Sequence, residues 1–274
     1  MYIIRLFTRY HISFLAVILI AASLGTAAGL AQETAEKRAV TIDDYFNLKR
    51  VSDPQISPDG EWIAYTVTEV DYENDKSETR IWMIPAAGGE SIPMTAKGYS
   101  AGSPRWSPDG KYLSFTAARD GGKNQVWVLN RLGGEAQQLT EVEQGIGGYS
   151  WSPGGSRILL SIRDKDPEET EKDEKERPEP WIIDRLQFKR DNIGYLNNLR
   201  THLYVFNMSD KSVVQITSGD RDESQAVWSP DGKRVAFVSN RTDNPDGNSN
   251  SDIWIVSAQI PAVSIDPGEM PFGA

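Results

Sequence analysis

The chain carries few groups that perform covalent chemistry. It has 274 residues, no Cys and two histidines, His11 and His202. Thiol nucleophiles, disulfides and Cys-ligated zinc are excluded, and so is a histidine-rich metal site. A Ser-His-acid triad would have to use His202. Gly98-Tyr99-Ser100-Ala101-Gly102 has the G-x-S-x-G spacing in which a strained strand-to-helix turn exposes a nucleophilic hydroxyl. That geometry needs a helix directly after the serine, and Pro104-Arg105-Trp106 follows instead. We read the match as coincidental. His202 stands at the head of an aromatic-bearing segment, Leu203-Tyr204, and we read it as a structural residue at a strand edge.

Oxygen ligands cluster once, in Asp243-Asn244-Pro245-Asp246-Gly247-Asn248-Ser249-Asn250-Ser251-Asp252. The positions do not fit a calcium loop, which places acids at alternate positions and a Glu at the end. The same residue types favour turns, and a long polar turn is the better reading. Asn207-Met208-Ser209 and Asn240-Arg241-Thr242 match glycosylation sequons, relevant only in a eukaryotic secretory pathway. There is no phosphate loop. No catalytic, cofactor-binding or metal-ligating residue is assigned, and no cofactor is expected.

Composition sets the frame for these groups. Hydrophobic residues make up 39% and charged residues 25%, with eight Trp, ten Tyr and eight Phe. That is ample core material, so global disorder is excluded. The net charge of −10 argues against a nucleic-acid partner. Residues 1–31 read as a signal peptide. Arg5 and Arg9 precede an uncharged apolar run, and Gly29-Leu30-Ala31 is a small-x-small cleavage pattern. An uncleaved anchor is the alternative, since Ile12–Ala31 is just long enough to cross a bilayer. After cleavage no stable membrane insertion is expected, and the protein is exported, to the periplasm or the medium.

The remainder is repetitive. Ser57-Pro58-Asp59-Gly60, Trp106-Ser107-Pro108-Asp109-Gly110, Trp151-Ser152-Pro153-Gly154-Gly155 and Trp228-Ser229-Pro230-Asp231-Gly232 are four copies of one phrase. Pro presets the first turn position, Asp suits the second and Gly supplies the left-handed residue, so each copy predicts a hairpin. The strands that follow alternate. Ile63/Tyr65, Leu113/Phe115, Ile158/Leu160 and Val235/Phe237 share one face. On the other face Ala64, Ser114 and Ala236 are small, which would let a neighbouring sheet approach closely; Leu159 breaks that pattern. A third strand recurs with an aromatic in register at Trp82, Trp127, Tyr204 and Trp254. A fourth follows a turn in three copies and ends in Met94-Thr95, Leu139-Thr140 or Ile216-Thr217. The turns lie 50, 45 and 77 residues apart, counted Asp59 to Asp109 to Gly154 to Asp231. Four antiparallel strands repeating at this interval describe a β-propeller blade.

The fold class is therefore all-β: a partial propeller of about four four-stranded blades, behind a signal peptide and a short helix. The expected organisation is a signal peptide over 1–31, a linker with the helix over 32–52, the propeller over 53–258 and an atypical tail over 259–274. The blades are placed at about 53–96, 103–141, 149–218 and 225–258, with an insertion over 164–200 in the third. Thr41 to Val51 supplies the helix, with Thr41 as N-cap and Asp43 and Asp44 in its first turn. Within the insertion, Asp164 to Glu179 holds nine acids and four bases, too polar to offset its ordering entropy. The stretch from Pro180 to Arg190 is apolar enough to pack as an extra strand or hairpin.

The repeated W-S-P-D-G-K-x-[IVL]-[AS]-F phrase resembles TolB-type propellers and the propellers of prolyl oligopeptidase family serine peptidases. Thr41–Gly60, Pro180–Arg190, Gly194-Tyr195-Leu196 and Thr201–Val205 resemble the acylaminoacyl-peptidase-like and dipeptidyl-peptidase-like branch of that family. The resemblance covers about residues 41–258. It implies a non-catalytic cap that restricts peptide access to an α/β-hydrolase domain lying C-terminal to the propeller. No position here matches that domain's triad motifs, so this chain alone is not expected to be an enzyme. Family propellers have about six to eight blades, and the change of character after Ser257 points to a truncated, split or frameshifted coding sequence. Two functions follow as expectations: the substrate-gating part of an exported serine peptidase, with peptide as its partner, or a stand-alone TolB-like propeller that binds a protein.

Overall fold

The computed structural model describes residues 38–166, 182–191 and 194–259. The expected signal peptide, most of the acidic run and all but the first residue of the tail lie outside the described residues. The chain divides into two compact units, Met1–Tyr45 and Phe46–Ala274. In the first, the Asp44 carboxylate accepts from both the amide and the hydroxyl of Thr41, at 2.8 and 3.0 Å, and pairs with Arg38. This is the acid half of a capping box. Helix α1 (Ile42–Asn47) is shorter than the sequence implies, because the first strand already begins at Arg50.

The second unit contains four antiparallel sheets. The first joins β1 (Arg50–Ile56), β2 (Trp62–Asp71), β3 (Lys76–Pro85) and β4 (Ile92–Pro93) in that order. The second joins β5 (Ala101–Trp106), β6 (Tyr112–Ala117), β7 (Gln125–Asn130) and β8 (Gln137–Gln138). The third contains β9 (Gly148–Trp151) and β10 (Arg157–Arg163), then β13 (Thr201–Asn207) and β14 (Val213–Gln215). A two-stranded ribbon, β11 (Lys189–Arg190) and β12 (Gly194–Tyr195), lies in the connection between β10 and β13. The fourth has β15 (Ser224–Trp228), β16 (Arg234–Ser239) and β17 (Asp252–Ser257), with no fourth strand among the described residues. This is the nearly all-β architecture expected of a partial propeller.

Each Ser-Pro-x-Gly phrase makes the same turn. In the second sheet the Ser107 amide donates to the Tyr112 carbonyl at 2.9 Å, and the Gly110 amide to the Ser107 carbonyl at 2.8 Å. The Ser107 hydroxyl accepts the Tyr112 amide at 3.0 Å and donates to the Asp109 carboxylate at 2.6 Å. Asp109 in turn accepts the Lys111 amide at 3.1 Å. Ser57/Asp59 and Ser229/Asp231 repeat the whole set. Ser152 keeps the serine part, with Gly154 in place of the acid. The glycines Gly60, Gly110, Gly155 and Gly232 have φ between 66° and 73°, the left-handed region where a side chain is strained.

The closing threonines have a shared role. Each presents its hydroxyl to a third-strand amide: Thr95 to Ile81 at 3.0 Å, Thr140 to Val126 at 2.9 Å and Thr217 to Leu203 at 2.8 Å. The residue before each threonine donates its own amide to the carbonyl of that same third-strand residue. Short outer strands thus gain a side-chain rung where the ladder ends.

Between sheets the packing is directional. The face carrying Ala64, Ile81 and Met83 is covered by Trp106, Leu113, Phe115 and Leu129 of the next sheet. Val126 with Leu139 meets Ile158, Leu160 and Phe206, and Leu159, Leu203 and Val205 meet Val235 and Phe237. Leu159, the exception to the small-residue pattern, is absorbed because Val235 faces it in place of a larger residue. Each junction is stapled by an indole N–H. Trp106 donates to the Gln55 carbonyl at 3.0 Å, Trp228 to the Ser150 carbonyl at 3.2 Å, and Trp151 to the Ser114 hydroxyl at 2.8 Å. Ile56 holds the matching position in the first sheet and is exposed.

The same register exposes what is unpaired. Ile81 and Met83, Val126 and Val128, and Leu203 and Val205 are all 4% exposed or less. Their counterparts in the fourth sheet, Ile253 and Ile255, are 76% and 63% exposed, and Val227 beside them is 57%. The expectation of an extra strand or hairpin from Pro180 to Arg190 is met only at its end, where Lys189–Arg190 pairs with Gly194–Tyr195. Only Lys189–Arg190 is a strand, and Ile182, Ile183 and Leu186 are exposed; Pro180 and Trp181 lie outside the described residues.

Two outcomes follow from the turns. Ser107→Ala removes the hydroxyl that accepts the Tyr112 amide and donates to Asp109, and is expected to cost about 1–2 kcal/mol, read as a lower urea midpoint at unchanged slope. The hydroxyl of Ser57, the guanidinium of Arg131 and the Glu61 amide lower the Asp59 carboxyl from 3.8 to about 2. A depressed folded value stabilises fully above about pH 4 and is lost as pH falls through about 2. Asp59→Asn is therefore expected to lower stability at pH 5 and to flatten its decline between pH 4 and 2, measured by urea unfolding across that range.

Candidate functional site

The described residues with unusual chemistry gather where the third and fourth sheets meet residues 182–200. His202, the second residue of β13, is 3% exposed. Its Nδ1 lies 2.8 Å from Glu223 Oε2, and its Nε2 lies 3.6 Å from Asp164 Oδ1. The Glu223 side chain is fully buried. It accepts from Arg241 at 2.9 Å and from the Thr217 hydroxyl at 3.1 Å. Charge of this kind is tolerated inside a protein only when every oxygen is engaged. Gln125 fills the equivalent place in the second sheet. Its Oε1 accepts from the Thr140 hydroxyl at 2.8 Å and from the Val142 amide at 3.0 Å. His202 and Glu223 together do what that one amide does, and they add a link to Arg241. His202 is structural here, inside a central strand and not at its edge.

Ser100 is elsewhere. Its hydroxyl accepts the Thr79 amide at 3.2 Å, and strand β5 follows it directly. No contact joins Ser100 to His202, and no helix continues from it. The polar loop of Asp243–Asp252 closes on itself through Asn240. The Asn240 side-chain amide donates to the Pro245 carbonyl and to Asn248, and its oxygen accepts from the Thr242 hydroxyl at 2.8 Å. That use of the amide leaves no free nitrogen at this sequon. Asp246 reaches out of the loop to the amides of Leu186 and Gln187 and to Arg185, fixing the segment that leads to β11. Despite partial burial, these donors hold its carboxyl below the usual range. No group of three or more metal-ligating side chains occurs among the described residues.

Beside the His202 cluster is a cavity of about 710 Å³. Its floor is Tyr149 and Ser150 of β9 with Leu159 and Leu203; its rim is Arg163, Arg185, Arg190 and Arg200. Tyr149 Oη lies 2.9 Å from both the Ser103 carbonyl and Ser114 Oγ, and burial pushes its phenol above the usual value. Two first strands bordering the preceding sheets carry bulges at residues of positive φ, Asp53 (48°) and Ser103 (52°), and β15 repeats this at Gln225 (50°), a cavity residue. Bulges re-aim side chains at sheet ends. Here they bring Asp53 to Arg105 at 3.0 Å and the Ser103 carbonyl to Tyr149. Neither the bulges nor the convergence of four arginines is visible in the spacing, since residues 163 and 185–200 belong to different elements.

The comparisons fit this architecture. No family model matches the chain. It is 32% identical over 223 residues to an uncharacterized peptidase, YuxL, of Bacillus subtilis, a match covering 80% of this chain and 34% of that protein. It is 24% identical over 90 residues to dipeptidyl-peptidase 5 of Porphyromonas endodontalis, covering 33% of this chain and 13% of that one. The acylaminoacyl peptidase of Pyrococcus horikoshii superposes at a TM-score of 0.60 with 20% identity, over 77% of this chain and 31% of that structure. The two relatives matched by sequence are peptidases, the structural likeness shows the fold, and the chain spans about a third of the length of YuxL and of the Pyrococcus horikoshii structure. No helix among the described residues is long and apolar enough to cross a membrane.

The His202 cluster gives a sharp stability test. Glu223→Ala strands Arg241 and removes the partner of a buried histidine; it is expected to destabilise by about 3 kcal/mol or more. Glu223→Gln, which keeps the side chain's shape and one acceptor oxygen, is expected to cost less than Glu223→Ala in the same urea titration.

Proposed function

We propose that this chain is the propeller region of an exported serine-type peptidase of the prolyl oligopeptidase family, with a gating role and no catalytic group of its own. The observation that carries the reading is the 32% identity over 223 residues to a peptidase of which that match covers only 34%. The open face of the fourth sheet supports it. Ile253 and Ile255 repeat positions that are buried in every preceding sheet, so this face is patterned for coverage by a further sheet. The separation of Ser100 from His202 agrees with a nucleophile lying outside these residues. Export is proposed from the residues before position 32.

The size of the native product tests this. An antibody to residues 103–141 is expected to capture, from the source organism, a protein much longer than 274 residues that labels with a fluorophosphonate probe. The isolated 274-residue chain is expected not to label, and Ser100→Ala is expected to change nothing. A captured product of 274 residues or fewer that does not label would overturn the reading in favour of a stand-alone binding propeller.

A further inference from the structure

We propose that the arginine-rimmed cavity beside the third and fourth sheets binds a peptide carboxylate; the peptide class rests on the reading above, the anionic chemistry on the cavity alone. The charge balance inside the cavity is the first observation. Four arginines line it against two acids, Asp222 and Glu223, in a chain of net charge −10. Glu223 is already engaged by His202, Arg241 and Thr217. Asp222 accepts the Thr201 amide at 2.9 Å and lies 3.7 Å from Arg200, whose Nε donates to Asp220 at 2.7 Å. Those acids leave nothing for the other side of the rim. Arg163 donates only to the neutral Asn197 side chain, at 2.6 Å. The Arg190 side chain makes no hydrogen bond or ion pair with any described residue, its backbone being paired with Gly194.

Unused polar atoms are the second observation. Four buried side-chain atoms among the described residues lack a hydrogen-bond partner, and two of them, Ser150 Oγ and Arg185 Nε, belong to residues lining this cavity. Buried groups left without a partner are rare and mark places where a further group is accommodated. Arg185 Nε lies 3.6 Å from Asp246 Oδ1, beyond hydrogen-bond distance, and another nitrogen of the same guanidinium donates to the Asn197 carbonyl at 2.9 Å, so of these two atoms Ser150 Oγ is the one with no charged group facing it.

Shape narrows the ligand. About 710 Å³ exceeds what a lone inorganic anion fills and suits a short peptide. Leu159, Leu196, Leu199 and Leu203 supply apolar wall next to the guanidinium groups. A guanidinium fork is matched to a carboxylate by two parallel hydrogen bonds. A terminal carboxylate and an acidic side chain share that chemistry.

The test is isothermal titration of the full chain with four probes: N-acetyl-Ala-Ala-Leu with a free carboxylate, the same peptide as its amide, N-acetyl-Ala-Asp-Ala amide, and inorganic phosphate. At least one carboxylate peptide is expected to bind, and the neutral amide at least tenfold more weakly, with affinity falling as salt rises. Whichever carboxylate peptide is tighter identifies the terminal or the side-chain source. Arg163→Gln with Arg190→Gln is expected to lower that affinity at least tenfold. Both residues are exposed, so the urea midpoint is expected to hold, whereas Arg131→Gln in the second sheet leaves binding unchanged. Equal binding of acid and amide, no binding of any peptide at millimolar concentration, or indifference to the double substitution would overturn the proposal, as would phosphate binding without peptide discrimination. Peptide titration is independent of the labelling and size of the native product, so either reading can fall while the other stands.

Discussion

A central strand of each sheet has two faces, and both must be dry. That constraint governs the second unit of this protein. β6 and β10 sit between sheets on both sides, and they accordingly read as near-continuous apolar or small runs, Leu113-Ser114-Phe115 and Ile158-Leu159-Leu160. The large residues of one strand fill the space left by the small face of the sheet before it. The tryptophan at the end of each first strand then crosses the junction, because a buried indole N–H needs an acceptor and the preceding sheet offers one. Close packing and one directed hydrogen bond together fix how far a sheet advances along its neighbour.

Polar groups complete what packing begins. The Ser-Pro-x-Gly turn satisfies its own backbone through a serine hydroxyl and, in three copies, an aspartate. The closing threonine satisfies a third-strand amide that the short outer strand cannot reach. Where the third sheet is interrupted by residues 164–200, a longer reach is needed, and His202, Glu223 and Arg241 provide it. The buried carboxylate is kept ionically and geometrically balanced, so the cluster ties the third sheet to the fourth and leaves the neighbouring arginines uncompensated by it. The positive character of the cavity is in this sense a by-product of how the interruption is bridged.

Position in the repeat decides which faces are covered. Three sheets cover one another in a fixed direction, and the fourth keeps the covering pattern on a face with no cover among the described residues. The peptidase relatives are longer than this chain, and their similarity runs through these sheets. Ser100, the serine of the Gly98–Gly102 motif, is a hydrogen-bond acceptor next to the start of a strand, and no contact joins it to His202.

Much of this was legible in the residues. The four Ser-Pro phrases, the alternation after them and the aromatic in the third strand are local signals, written at intervals of two residues or in a single turn, and they determine strands, hairpins and repeat. The Gly98–Gly102 motif was also decidable locally, since a proline three residues on from the glycine-flanked alanine forbids the helix it needs. The small face of the central strand pointed to close sheet packing, although Ser114 turned out to be an acceptor for Trp151 as well as a small residue. What the sequence alone left open depends on groups far apart in the chain. The strand bulges at Asp53, Ser103 and Gln225 arise from pairing with a second strand, so no single segment encodes them. The extent of α1 was set by β1 claiming Arg50. The partners of His202 are Glu223, 21 positions later, and Asp164, before the ribbon of β11 and β12, and the cavity draws Arg163 and Arg190 from different elements. Only the tertiary structure brings these charges together, because charge balance in a cavity is a property of the space they share and not of their order in the chain.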